Sequence, residues 1–460
     1  MPRSVLRRTE PLKQTHPALP EASASLSALL ARQAYSWALR LGTPAYLAKL
    51  WQRGGREPLY RHAIGERFGL HLPPITPGAV WLHAVSLGET RAAAALVAAL
   101  RAQRPGLRLL LTHGTATGRE AGQALLREGD QQVWLPFDTP GAVDRFLRRA
   151  QPALGVLMET EIWPNLLHAT AARQLPMVLA NARLSEKSAR QGRRLSLLMR
   201  PAADALTLVL AQTEADAQRL RAAGAADVRV SGNLKYDLQP DAIQLAQGRA
   251  WRAGLSRPVV AAVNTREGEE EALLEHWAAW PAPRPQLLLV PRHPQRFDAV
   301  AELVRQRGFS LSRRSQWGAA SGGALPAQVA SGTDVWLGDS LGEMALYYGL
   351  SDLAWLGGSF APLGGHNLIE SAACGCPIIL GPSTFNFAQA AEGALAAGAA
   401  WRATGWDDAM AQARQLLLAP ETLHRAAERA EAFTRAHRGA AERMASAILG
   451  LLPADAPPAR

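Results

Sequence analysis

Residues 79–114 read AVWLHAVSLGETRAAAALVAALRAQRPGLRLLLTHG. Residues 79–86 are a short apolar run of strand character. A helix over 88–103 follows, then a second strand over 107–114. A strand, a helix and a strand in immediate succession form a parallel pair with a crossover helix, buried on both faces. The alternation continues in both directions. Helical stretches at 117–128 and 141–151 separate strands at 133–138, 153–159 and 176–183, and strands at 206–212 and 228–233 close the first set. The pattern pauses over 236–256. It resumes with strands at 258–264, 286–292, 334–339, 353–358 and 377–382, interrupted by a Gly/Ser/Ala-rich surface loop at 312–332 and closed by an Ala/Arg/Glu-rich helix over 420–451. The fold class is therefore α/β. Two Rossmann-like domains of similar size face a central cleft, and ligands in such sheets bind beyond the carboxyl ends of the strands.

Composition agrees. The 460 residues are 48% apolar and 19% charged, enough for two cores and unlike a disordered chain. The only cysteines, Cys374 and Cys376, cannot form a disulfide framework, which fits a reducing compartment. No Cys/His spacing suggests zinc. The net charge of +11 is front-loaded: residues 1–67 carry 11 Lys/Arg against 4 Glu. A nucleic-acid binder would more often spread its charge along a face of the fold, so contact of the N-terminus with one anionic surface is the better reading. Residues 1–25 form a polar tail expected to be poorly ordered. Residues 26–55 carry Leu26, Leu29, Leu30, Trp37, Leu41, Leu47, Leu50 and Trp51 at roughly helical spacing, with a break expected at Pro44. Arg32, Arg40 and Lys49 interrupt the run, so it neither spans a bilayer nor resembles a signal peptide. Two readings stay open: a helix lying in a membrane interface, or a helix packed on its own domain.

The candidate functional residues all follow strands. In GGSFAPLGGHNLIE (357–370) a glycine loop leads into a helix expected to open near His366-Asn367, an arrangement suited to phosphate. Glu370 either receives ribose hydroxyls or complements the helix dipole. Glu89, in HAVSLGE (83–89), is a candidate general base or again a dipole partner. Glu159 and Glu161 cap a strand in METEIWPN (158–165). Lys235, in GNLKYD (232–237), stands at the domain junction and suits charge stabilisation, although a lone lysine is usually solvated. Arg292, in VPRHP (290–294), suits a phosphate or carboxylate, and GDSLGE (338–343) offers backbone donors.

Together, HAVSLGE, LPFDTPGAVDRFL, METEIWPN, ANARLSEKS, GNLKYD, VPRHPQRF, GDSLGEM, GGHNLIE and GPSTFNF closely resemble the bacterial 3-deoxy-D-manno-octulosonic acid (Kdo) transferases. The resemblance runs from about residue 30 to about residue 440. It implies a glycosyltransferase type B fold and inverting, metal-free transfer of Kdo from CMP-Kdo to a tetraacylated lipid A precursor in lipopolysaccharide biosynthesis, with no cofactor. It implies Glu89 as the base, with Glu159 and Lys235 stabilising the transition state. Contacts to CMP would fall on Pro291, Arg292, Leu341, Gly342, Glu343, Asn367, Leu368, Ile369 and Glu370. Leu368 stands where many relatives have Pro, and Leu341 where many have Met. The expected partners are CMP-Kdo, the lipid A precursor and inner-membrane lipids contacted through residues 26–55, with no nucleic acid. The expected location is the cytoplasmic face of the inner membrane, peripheral or monotopic. The expected domains are an acceptor-binding unit over 56–240 and a CMP-sugar-binding unit over 241–452, followed by a tail, 453–460.

Overall fold

The computed structural model describes residues 25–452 except 318–324, 326–328, 330 and 331, so the polar tail before Ser25, the tail 453–460 and much of the 312–332 loop lie outside the described residues. Among the described residues the strands form two seven-stranded parallel sheets. The first contains β1 (Val80–His83), β2 (Leu109–His113), β3 (Gln131–Trp134), β4 (Leu154–Met158), β5 (Met177–Ala182), β6 (Leu208–Ala211) and β7 (Val228–Val230). Its order is β3-β2-β1-β4-β5-β6-β7. The second contains β8 (Val259–Thr265), β9 (Gln286–Pro291), β10 (Leu311–Arg313), β11 (Val335–Leu337), β12 (Leu353–Leu356), β13 (Ile378–Leu380) and β14 (Ala400–Arg402). Its order is β10-β11-β9-β8-β12-β13-β14. The expected doubly wound α/β architecture is present in both halves. Strand order reverses between β1 and β4 in one sheet and between β8 and β12 in the other, which opens a crevice at the carboxyl ends of those strands.

Each sheet is buried on both faces, as its continuous apolar strands require. Along β1, Trp81 enters one core while Val80 and Leu82 enter the opposite one. Along β8, Val259, Ala261 and Val263 alternate with Val260 and Ala262 in the same way.

Three departures from expectation have physical causes. First, the two outer strands β10 and β14 lack an apolar run of their own. They are three residues long and pair along one side only, β10 within what reads as a surface loop. Second, the N-terminal helix runs unbroken over Leu26–Arg53 with Pro44 inside it. The helix is held from outside: the Tyr35 hydroxyl donates to Asp138 at 3.0 Å, Ser36 donates to Asn165 at 3.1 Å, and Leu50 packs with Tyr60 and Ala116. Tertiary contacts of this kind override a local helix breaker. Third, the last helix, Ala440–Leu449, was expected to complete the second domain, but it packs on the first. Ala440, Met444 and Ile448 share a core with Leu82, Leu96 and Val156. The preceding helix, Pro420–His437, remains with the second domain through Leu423 and Phe433. The chain therefore crosses between the halves twice.

Candidate active site

In the first half, Glu89 and Glu159 follow β1 and β4, the two strands flanking the reversal. Ser86 caps the helix Leu87–Gln103, its hydroxyl receiving the Glu89 N–H at 3.4 Å and donating to Oε1 of Glu89 at 3.1 Å. The Val85 N–H donates to Oε2 at 2.8 Å. This is a variant of the capping box, so the dipole role of Glu89 is real, and its carboxylate is also rigidly aimed. Burial raises the pKa of Glu89 and the charge of Glu159 adds to this, while the Val85 and Ser86 hydrogen bonds oppose it.

Glu159 adopts a left-handed backbone with φ of 56°, a conformation that costs a non-glycine residue free energy. Its N–H bonds the Ala180 carbonyl at 2.9 Å and its carbonyl accepts from Arg183 at 3.2 Å, prolonging the ladder to β5 and fixing the turn. Glu161 completes the acidic group. Burial, then the charges of Glu89 and Glu159, push its carboxyl up to about 7.

Lys235 lies in a short 3-10 helix, Leu234–Asp237. Its backbone N–H donates to Asn233 at 3.0 Å, Asn233 donates to Gln212 at 3.0 Å, and Asn181 receives the Leu234 N–H at 3.1 Å. Burial lowers the Lys235 pKa, partly offset by Glu159. Its Nζ sits 5.0 Å from the ring centre of Phe387, which belongs to the second half. Glu89, Glu159 and Lys235 are thus brought together, at a point where both halves meet.

The second half contributes cations. Arg292 follows β9, its N–H bonded to the Thr265 carbonyl at 3.0 Å. Burial lowers its pKa, and the charges of Arg91 and Arg266 push in the same direction against the pull of Glu370. Glu370 is itself raised by burial and stabilised as a carboxylate by Arg91 and Arg292. His366 is held near 4 by burial and by Arg292, Arg266 and His293, and is neutral at ordinary pH. Arg91 from the first half and Arg292 from the second act on Glu370, and Arg266 adds its charge beside Arg292, which leaves an excess of positive charge that an anion would relieve.

Other predicted positions behave differently. The helix expected at His366-Asn367 begins at Ile369 and is five residues long, with Asn367 accepting the Ile369 N–H at 3.2 Å. So short a helix has little dipole, and the positive charge at this point comes chiefly from the arginines. Pro291, Leu368 and Ile369 are buried side chains, so only their backbone is available to a ligand. Leu341 is exposed, and Gly342 takes a positive φ of 79°. The Glu343 carboxylate is engaged by Arg314 at 2.7 Å and by Ser340.

Sequence reasoning missed Arg91, Arg266 and a role for Glu161. Arg91 is two residues from Glu89 on the same helix, the one signal that could have flagged it. It also missed Glu269, whose buried carboxylate receives the N–H groups of Arg266, Gly358, Phe360 and Ala361 at 2.7–3.1 Å. These bonds hold the loop after β12 against the one after β8. The approach is close: a Cβ on Gly357 would lie 2.3 Å from the Asn264 carbonyl. Glu269→Gln puts an amide donor against backbone donors. It is expected to destabilise the second half by about 1–3 kcal/mol, read as a lower thermal midpoint. Among the described residues no group of three or more His, Cys, Asp or Glu has the arrangement of a metal site.

Comparison with known proteins bears on this geometry. The family model described as 3-Deoxy-D-manno-octulosonic-acid transferase (kdotransferase) matches residues 62–238. A 3-deoxy-D-manno-octulosonic acid transferase of Bordetella pertussis is 46% identical, covering 91% of this chain and 99% of the relative. One from Haemophilus influenzae is 36% identical, covering 77% and 83%. In structure, a UDP-GlcNAc 2-epimerase from Neisseria meningitidis bound to UDP-GlcNAc superposes with a TM-score of 0.54 at 15% identity, covering 81% of this chain and 99% of that one. That likeness concerns the fold alone.

Proposed function

The chain belongs to the 3-deoxy-D-manno-octulosonic acid transferase family, and from that premise we propose that it moves Kdo from CMP-Kdo to a tetraacylated lipid A precursor in lipopolysaccharide biosynthesis. The observation carrying this reading is the cleft itself: an acid–lysine group from the first half meets an arginine cluster in which Arg91 of the first half joins Arg266 and Arg292 of the second.

The chemistry divides across that cleft. CMP leaves as an anion, and Arg292, Arg266 and Arg91 supply positive charge for its phosphate. Glu370 faces the same group and suits the ribose hydroxyls. Contacts from Pro291, Leu341, Gly342, Glu343, Asn367, Leu368 and Ile369 would be largely through backbone. As the bond from the anomeric carbon to the phosphate oxygen breaks, that oxygen keeps the electron pair and the carbon gains positive character. Glu159 offsets the charge on the carbon, and Lys235 meets the donor's own carboxylate. Glu89 takes the proton from the attacking acceptor hydroxyl on the face opposite the phosphate, which inverts the anomeric centre. No metal is needed for this sequence, and a chelator is expected to leave the rate unchanged.

The acceptor is a lipid, which gives the N-terminal helix a purpose. No helix among the described residues is long and apolar enough to cross a membrane. The Leu26–Arg53 helix nonetheless leaves Leu26, Leu30, Trp37, Leu41 and Trp51 exposed, Leu41 by 79%. Arg40 stacks over Trp37 at 4.9 Å and Arg61 over Trp51 at 4.6 Å. Exposed Leu195 and Leu197 belong to the same half, next to the basic helix Glu186–Arg194. Aromatic rings paired with guanidinium groups suit the interface of an anionic leaflet, here the cytoplasmic face of the inner membrane. Replacing Trp37 and Trp51 together by Ser is expected to lower affinity for anionic vesicles by about tenfold or more in sedimentation, with CMP binding unchanged.

The direct test supplies folded protein with CMP-Kdo generated in situ and the tetraacylated precursor, then reads the lipid by mass spectrometry. A gain of one or more Kdo masses is expected. Absence of transfer by protein that still binds CMP would refute the donor sugar or the acceptor.

A further inference from the structure

Leu234 and Tyr236, one residue either side of Lys235, belong to different cores: Leu234 to the first half and Tyr236 to the second. Lys235 therefore sits on the first crossing between the halves. The second crossing, from His437 to Ala440, lies against it. The Tyr236 ring meets Phe433 edge-on at 5.6 Å and stacks on His437 at 4.7 Å. Asp237 receives the N–H groups of Gly439 and Ala441, both at 2.6 Å, through its two carboxylate oxygens. Arg443 donates to the Ser231 carbonyl at 3.0 and 3.2 Å. Gly439 turns the second crossing with a φ of 87°, where a side chain would be strained and would meet Arg443.

We propose that the two crossings form a paired hinge on which Lys235 rides, and that Asp237 is a positioning residue holding the Lys235 ammonium in register with both halves. The carboxylate is well suited to this. It caps the helix Ala440–Leu449, whose positive end favours a negative charge, and it is two residues from the lysine. Rotation of one half against the other turns the segment between Leu234 and Tyr236, so the ammonium reaches its working position only when the halves are correctly set. Donor binding, which depends on the arginines, does not need this register.

The inference rests on Lys235 acting in transfer, so the test separates the two claims. Transfer kinetics are measured on full-length wild type, Asp237→Asn, Lys235→Met and the double variant, with thermal unfolding of each. The expected result is an Asp237→Asn enzyme whose kcat falls about tenfold while KM for CMP-Kdo stays within about twofold, since a small misplacement near the reacting atoms is felt in the rate. In the Lys235→Met background the same substitution is expected to cause no further loss. Equal losses in both backgrounds, or an unchanged kcat in folded Asp237→Asn, would overturn the positioning role. Wild-type activity in Lys235→Met would instead overturn the lysine assignment. Should Asp237→Asn fail to fold, Arg443→Met frees the Ser231 carbonyl while leaving Asp237 in place. It is expected to lower kcat about threefold, again only when Lys235 is present, and a loss that persists without Lys235 would overturn the proposal.

Discussion

Glu89→Gln is expected to lower transfer by about a thousandfold and to leave CMP affinity unchanged. Glutamine matches the shape of the side chain and keeps an oxygen for the Val85 N–H, so the helix start at Ser86 survives. What disappears is a carboxylate aimed by two hydrogen bonds, on the helix that also carries Arg91. Removing a base with its scaffold intact affects the rate more than the binding. The pH profile supplies a second reading of the same residue. Glu89 accepts a proton only when ionised, and burial together with Glu159 raises its pKa. Activity is therefore expected to fall on the acid side, as pH drops through that raised value. Glu161 has little bearing on the position of this limb: burial and the charge of Glu89 push its own carboxyl up to about 7, so below that it is protonated and carries no charge to repel Glu89. Glu161→Gln is therefore expected to keep most of the activity and to leave the acid limb of the rate profile where it is, and a limb that moves to lower pH would show that Glu161 is ionised while Glu89 titrates.

Arg292→Met is expected to weaken CMP binding by about 10- to 100-fold, the range for charge-assisted hydrogen bonds to an anion. The loss should appear in calorimetry with CMP and as a raised KM for CMP-Kdo. A smaller loss would mean that Arg91 and Arg266 carry the phosphate without it. Removing Arg292 also takes one cation from beside His366 and Arg266 and one stabilising charge from Glu370. The empty protein should consequently unfold at an unchanged or slightly higher temperature, and the stabilisation given by added CMP should shrink. That opposite pair of shifts distinguishes a ligand-binding arginine from a structural one.

The central strands were legible because parallel strands buried on both faces are unbroken apolar runs, and Val80–His83, Leu154–Met158 and Val259–Thr265 are such runs. The outer strands were not, because Leu311–Arg313 and Ala400–Arg402 are strands only by virtue of the neighbour they pair with. Motifs at strand ends pointed to Glu89, Glu159, Lys235, Arg292 and Glu370, since topology places those ends in one crevice. Arg91 and Arg266 escaped because an arginine on a helix or after a strand reads as a solvated charge until the opposite half is placed against it. The return of Ala440–Leu449 to the first half escaped for a similar reason. Its apolar stripe states that it is buried, and only the fold states on what. Pro44 misled because its local cost is outweighed by contacts from Asp138, Asn165 and Ala116, which lie far along the chain.

Those contacts give the N-terminal helix a mechanical character. Its 28 residues extend about 42 Å, and it is fastened to the body near its middle by Tyr35 and Ser36 and near its end by Leu50. A rod clamped at two points cannot pivot. Asn165, one of the clamps and four residues along the chain from Glu161, also donates its backbone N–H and its side-chain amide to Asp138. If this rod rests in a leaflet, as proposed above, the stand-off between lipid surface and cleft is a fixed dimension of the enzyme, and the catalytic centre would work like a tool on a rigid gantry, selecting a hydroxyl by its height above the bilayer as well as by its chemistry.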